Sequence, residues 1–413
     1  MSSEYFRIVE HTVRCQHTRE YIAATANGDL DTPLLAVKQY IPKDNANPQT
    51  GDVTIIGTHA NGFPKEVYEP LWEDIYVRAK KEGLRIRSIW VADAWTQGKS
   101  GIANEGILGL DPSWADHSRD LLSLINQKQD EMPQPIVGVG HSMGGTELVQ
   151  LALMHPRLLR SLVLIDPVIT KGNAGAMPAA MSARRRDLWP SRQAAVDAFR
   201  RNPYYRSWDP RVFERWTEHG LREAPTELHP LESGLKGGEP ASRPVTLATS
   251  KHQEIVAFQR PMERVEFTSS FNGSHPAQQL HKLPKHPFYR PEPLQVYERL
   301  PEVRPSVLYI FGRKSPFAIP EECEAKVRRT GSGHGGSGGV ETGRVERIDL
   351  DCGHLMPMEM VGECAEAAVG FLGSEIQRWR KDQEAFSRWR QASPRRVQIT
   401  VQDKWMSMLK SRM

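Results

Sequence analysis

The run Ile136-Val137-Gly138-Val139-Gly140-His141-Ser142-Met143-Gly144-Gly145 could do chemistry. A β-branched, apolar stretch leads into a serine held between small residues, and a helical pattern follows from Thr146. Glycines at 140 and 144 relieve the crowding of a sharp strand-to-helix turn, so Ser142 takes a strained backbone and presents its hydroxyl above a sheet edge. The helix starting there aims amide hydrogens at any oxygen that gains negative charge. That combination suits attack by Ser142 on a carbonyl carbon.

A serine hydroxyl is a poor nucleophile until a base takes its proton. Among 14 histidines, His354 in Asp351-Cys352-Gly353-His354-Leu355-Met356-Pro357 is the candidate base, because it follows the last predicted strand and precedes a helix. His59, His117 and His141 are weaker candidates. An acid must orient the base, and the loop after the penultimate strand, where one is most often found, reads Phe311-Gly312-Arg313-Lys314-Ser315-Pro316. Ser315 stands about where an aspartate is expected. Asp166 ends the strand after the nucleophile, at the C-terminal strand end where catalytic side chains of parallel sheets gather, and is assigned as the orienting acid. Asp349, Asp351 and Glu321 remain alternatives. Met143 and Phe63, the latter in His59-Ala60-Asn61-Gly62-Phe63-Pro64, are the candidate amide donors to a tetrahedral oxyanion.

These residues need a frame. Short β-rich runs followed by turns and helical patterns predict strands over residues 53–58, 86–92, 136–140, 161–165, 306–311 and 344–350, with an antiparallel edge from residues 6–15 and 33–40. About 140 residues separate Ile165 from Ser306, far beyond an ordinary crossover, so a helical cap is inserted there. Helix-like spacing covers Arg184 to Phe199 and Asp209 to Leu221 inside it, and Leu235 to Arg243 reads as a linker. Gly331 to Gly339 reads as a glycine-rich surface loop that does not pack by itself. Phe371 to Trp389 predicts an amphipathic helix with Phe371, Leu372, Ile376, Trp379, Phe386 and Trp389 turned inward. The order Ser142, Asp166, His354 and the strand pattern predict an α/β-hydrolase fold: a mostly parallel sheet with helices on both faces and an inserted cap. Residues 1–169 form the first part of the core, 170–300 the cap, 301–390 the second part of the core, and 391–413 a basic tail.

A hydrophobic share of 39% with 25% charged residues suits a globular enzyme with a sizeable core. The formal net charge of +4 is too small to argue for a nucleic-acid surface. Four cysteines (Cys15, Cys323, Cys352, Cys364) show no metal-ligand spacing, and no redox or metal cofactor is called for. No apolar run approaches the roughly 18 residues of a membrane span. Trp95 and Trp114 line a pocket or pack in the core. Arginines at 184 to 186, 200, 201, 206, 211, 215 and 222 form solvated helix faces or bind the phosphates of a coenzyme A thioester. Ser411-Arg412-Met413 has the small-basic-apolar form of a peroxisomal address read by an import receptor.

Thr58-His59-Ala60-Asn61-Gly62-Phe63-Pro64-Lys65-Glu66, Gln97-Gly98-Lys99-Ser100-Gly101, the segment Asp111 to Asp120 and the Gly140 elbow together resemble a group of fungal peroxisomal hydrolases. That group includes the mycophenolic-acid pathway acyl-CoA hydrolase, the AK-toxin pathway esterases and a yeast peroxisomal lipase. The resemblance runs from about Asp52 to Leu372. It implies a triad of Ser142, Asp166 and His354, oxyanion donors at Phe63 and Met143, and peroxisomal residence. It also implies a role in fungal secondary metabolism or toxin biosynthesis, releasing an acid from its coenzyme A thioester. A lipase or carboxylesterase of the same mechanism, and a non-catalytic binding protein on the same fold, are the alternatives.

Overall fold

The computed structural model describes residues 2–230, 243–261 and 288–411. One eight-stranded sheet organises the chain: β1 (Phe6–Arg14), β2 (Leu34–Pro42), β3 (Val53–Thr58), β4 (Ile86–Ala92), β5 (Ile136–His141), β6 (Ser161–Ile165), β7 (Ser306–Gly312) and β8 (Val345–Leu350). Their spatial order is β1-β2-β4-β3-β5-β6-β7-β8. β1 and β2 pair antiparallel, β2 meets β4 antiparallel, and the remaining pairs are parallel.

Strands β3, β5, β6 and β7 are buried along their whole length, which explains their unbroken apolar runs: both faces are covered. Alternate residues feed two cores. Ile55, Val139, Val163, Ile165, Leu308 and Ile310 pack on one side with α1 (Glu69–Lys81) and the start of α10 (Val361–Ala392). Ile56, Leu162, Leu164, Val307, Tyr309 and Phe311 pack on the other, against α2 (Trp114–Gln127), α3 (Met143–Met154), α8 (Glu292–Arg299) and α9 (Pro320–Arg329).

The inserted segment forms a lid of helices α4 (Ala176–Arg184), α5 (Arg192–Arg201), α6 (Pro210–His219) and α7 (Lys251–Phe258). A small antiparallel sheet joins Leu188–Trp189, Val245–Leu247 and Leu221–Glu223. The helix expected over Arg184 to Phe199 is broken: Arg185 leaves α4 extended, and Pro190 bars a helix running through it. A new helix then starts with Ser191 accepting from the Ala194 amide. Val296 and Tyr297 of α8 belong to the core cluster, so the chain has rejoined the core before residue 300. Most of the expected linker at Leu235 to Arg243 lies outside the described residues.

The 331–339 loop is held by a neighbouring segment rather than by itself: the amides of Gly331, Gly333 and Ser337 donate to the carbonyls of Leu300, Pro301 and Val303 at 2.9, 2.9 and 3.0 Å. One further expectation needs correction. In α10, Phe371, Leu372, Ile376 and Trp379 are buried as expected, but Phe386 and Trp389 are exposed, because the helix outruns the sheet it packs on. No described helix is long and apolar enough to cross a membrane.

Candidate active site

At the C-terminal edge of the parallel strands, β5 turns into α3 through Ser142, at φ 57° and ψ −118°. Ser142 and Asp166 (φ 42°) are the two non-glycine residues with positive φ among the described residues. Each costs of order 1–3 kcal/mol, tolerated only where the surroundings dictate it, and such strain gathers at functional sites. The elbow needs its glycines for space. A Cβ on Gly140 would lie 2.5 Å from Thr58 Oγ1, and one on Gly144 would lie 2.7 Å from the Thr58 carbonyl carbon. The Ser142 amide donates to the Ile165 carbonyl (3.0 Å) and the Asp166 amide to that of Ile310 (2.8 Å), fixing both residues to neighbouring strand ends.

Ser142 Oγ lies 2.8 Å from His354 Nε2, and His354 Nδ1 lies 2.6 Å from Asp166 Oδ2. An ionised carboxylate only accepts, so Nδ1 carries the proton and the Nε2 lone pair faces the Ser142 hydroxyl. Asp166 is 1% exposed. Ser315, in the loop after β7, donates its hydroxyl to the same Asp166 oxygen, and the Phe317 ring packs edge-on against His354 at 4.6 Å between centroids. The other candidate acids are not brought to the base: Asp349 pairs with Arg347, Asp351 with Lys314, and Glu321 is exposed.

The three weaker histidines are all buried. His59 Nε2 accepts from the Ala94 amide at 2.8 Å. Both ring nitrogens of His117 lack a hydrogen-bond partner among the described residues, and burial pushes its basicity down to about 3. His141, also kept neutral by burial, lies between Tyr68 and the His354 carbonyl, 2.8 Å from each.

Met143 begins α3, in the first turn, whose amides have no intrahelical acceptor. The Phe63 amide, the other expected donor, closes a turn on the Ala60 carbonyl at 3.2 Å; to serve an oxyanion it must share or exchange that long bond. Its loop is heavily supported. Gln97 accepts from the Gly62 amide and donates to Asn61 Oδ1, both at 2.7 Å, and Asn61 donates to the Glu254 carbonyl in the lid at 2.9 Å. Beneath it, Lys65 Nζ meets Asp93 at 2.6 Å, with both side chains fully buried. The Phe63 ring packs between lid residues Trp208 and Trp216 at 5.8 and 5.9 Å. Gln97, Asn61, Glu254, Tyr68 and Ser315 are therefore site residues whose supporting roles rest on long-range contacts.

A cavity of about 660 Å³ opens over Ser142 and His354, with Met177, Met181, Tyr204 and Phe258 of the lid in its wall. Trp114 lines it, whereas Trp95 packs in the core. Of the lid arginines, Arg185 pairs with Glu254, Arg211 with Asp74, Arg215 with Glu218 and Arg222 with Glu105. Arg186 lies over the Trp189 ring. Arg184, which reaches the cavity, and Arg200, Arg201 and Arg206 are exposed and form no ion pair among the described residues. No group of three or more His, Cys, Asp or Glu among the described residues could hold a metal ion.

The chain has relatives of the same fold. The sequence matches the Alpha/beta hydrolase family over residues 55–367. It is 38% identical over 435 aligned residues to the type I acyl-CoA thioesterase mpaH' of Penicillium brevicompactum, covering 99% of this chain and 96% of that protein. It is 31% identical to the abhydrolase domain-containing protein AFT2-1 of Alternaria alternata, over 58% of this chain and 84% of that one. Among solved structures, the peroxisomal alpha-beta-hydrolase Lpx1 of Saccharomyces cerevisiae superposes with a TM-score of 0.64 at 16% identity, covering 95% of this chain and 99% of that one. The covered sheet, the strained serine at its edge and a match spanning most of the sequence lead to one conclusion: the chain belongs to the alpha/beta hydrolase family.

Proposed function

We propose that this hydrolase cleaves an acyl-CoA thioester through an acyl-Ser142 intermediate. The observation that carries the reading is the hydrogen-bonded line Asp166, His354, Ser142 at the floor of the lid cavity. Ser142 Oγ attacks the thioester carbonyl as its proton passes to His354 Nε2, while Asp166 holds Nδ1–H and stabilises the imidazolium. The Met143 amide, with that of Phe63, receives the tetrahedral oxyanion. Collapse breaks the C–S bond, and the leaving sulfur takes the proton from His354. A water molecule then gives its proton to His354 and attacks the acyl-enzyme, and the reverse collapse frees the acid and restores Ser142.

Two observations favour the thioester over an oxygen ester. The relatives at 37–38% identity over 99% of the chain are named acyl-CoA thioesterases, and Arg184, exposed at the cavity wall and without an ion pair among the described residues, offers a charge that a coenzyme phosphate can pair with. The apolar wall of Met177, Met181 and Phe258 favours the second reading, a lipase or carboxylesterase. Turnover on a panel of acyl-CoAs against matched oxygen esters separates the two, with Ser142→Ala as control. Preference for the oxygen esters overturns the thioester reading.

The same proposal places the enzyme in the peroxisome, in a fungal secondary-metabolite or toxin pathway. Ser411 is exposed, and Arg412 and Met413 lie outside the described residues. Support comes from the Ser411-Arg412-Met413 sequence and from the pathway resemblance. A fluorescent reporter carrying the tail with and without these three residues tests it; cytosolic signal from both removes the address.

A further inference from the structure

Ser315 occupies the loop after β7, between the exit of β6, which bears Asp166, and that of β8, which leads to His354. It is 8% exposed. Its Oγ accepts from the Phe317 amide at 3.2 Å, so its own proton is free for Asp166 Oδ2, the oxygen that also receives His354 Nδ1. Two donors thus share one carboxylate oxygen. A second carboxylate at 315 would face the first across hydrogen-bonding distance, which like charges oppose; a hydroxyl satisfies it instead. We propose that Ser315 is a positioning residue for Asp166, drawing charge from the oxygen that faces His354 and thereby setting how strongly the imidazolium is held.

This rests on the reading of Asp166 as the acid of an active Ser142. Without the Ser315 donor, Asp166 holds the imidazolium more tightly, so His354 loses its proton only at higher pH. The experiment is the rate of Ser142 labelling by a fluorophosphonate across about pH 5 to 9, in wild type and Ser315→Ala, with melting temperatures recorded beside it. The expected result is an acid limb moved upward by about half to one pH unit at nearly unchanged melting temperature. Superimposable profiles overturn the proposal.

Should Ser315→Ala fail to fold, Ser315→Cys decides, since a thiol keeps the side-chain shape but is a much weaker donor. The same upward displacement of the acid limb supports the proposal, and a profile superimposable on wild type overturns it. A wild type that does not label, or an Asp166→Asn variant that labels at the wild-type rate, would instead remove the reading beneath.

Discussion

The hydroxyl of Tyr68 donates to Nδ1 of His141 across 2.8 Å, and that bond joins the segment after β3 to the end of β5. Tyr68 Oη accepts the Ala60 amide at 2.8 Å, which directs its proton to His141. His141 is then left with Nε2–H, which donates to the backbone carbonyl of His354 at 2.8 Å. The loop that carries Phe63 and the loop that carries the base are thus held in fixed relation through the residue that precedes the nucleophile.

Tyr68→Phe removes the hydroxyl and keeps the ring. It leaves the Ala60 amide and His141 Nδ1 without partners in the core, a loss of about 1–3 kcal/mol. The expected outcome is a kcat lowered by about tenfold with KM little changed, because both loops loosen around the reacting atoms. Steady-state kinetics beside a melting curve checks it, and a stable variant with wild-type kcat would count against the coupling.

Lys65 and Asp93 form an ion pair with side chains at most 1% exposed. Removing one partner of such a pair strands the other, which costs about 3–5 kcal/mol. Lys65→Met is expected to lower stability by that order in denaturant unfolding and to reduce turnover, because the clamp underlies the loop of residues 59–64.

Arg184 bears on substrate choice. Arg184→Glu is expected to raise KM for an acyl-CoA by about 5- to 30-fold, equivalent to about 1–2 kcal/mol. The same acyl group on pantetheine, which lacks the nucleotide phosphates, should show no such change. Equal effects on both substrates would place Arg184 away from the coenzyme.

Much of the site could be read in advance because it depends on local geometry. Gly140 and Gly144 announce an elbow by the crowding they relieve, and β5 and β6 announce buried parallel strands by unbroken apolar runs. Asp166 was legible by position, since it ends the strand next to the nucleophile's. What stayed hidden depends on partners far away in sequence. Gln97 in the loop after β4 and Glu254 in the lid meet Asn61 and Gly62 only in the folded chain, and the bond from Ser315 to Asp166 spans 149 positions. Phe386 and Trp389 were misread because helical spacing alone does not reveal where the sheet beneath α10 ends.

Burial holds His59, His117 and His141 below the usual histidine range. Depressed folded values mean that the unfolded chain takes up protons the folded chain refuses. The contribution of these histidines is therefore full above about pH 6.5 and falls as pH drops below it, by up to about 1.4 kcal/mol per histidine per pH unit. Glu66 acts in the same direction further down: burial raises its pKa, but Lys65 and Lys38 outweigh this and bring it to about 2, so its contribution is lost as pH falls below its ordinary value of 4.5. Urea unfolding at a series of pH values is expected to show this slope, reduced by one proton in His117→Leu.

The decisive measurement is the mass of the peptide containing Ser142 after wild-type enzyme and an acyl-CoA are mixed and quenched in acid during turnover. Acyl transfer predicts the mass of the acyl group on Ser142 with free coenzyme A released, and neither in Ser142→Ala. Release of coenzyme A by Ser142→Ala at the wild-type rate, or an acyl group found only elsewhere on the chain, would contradict it.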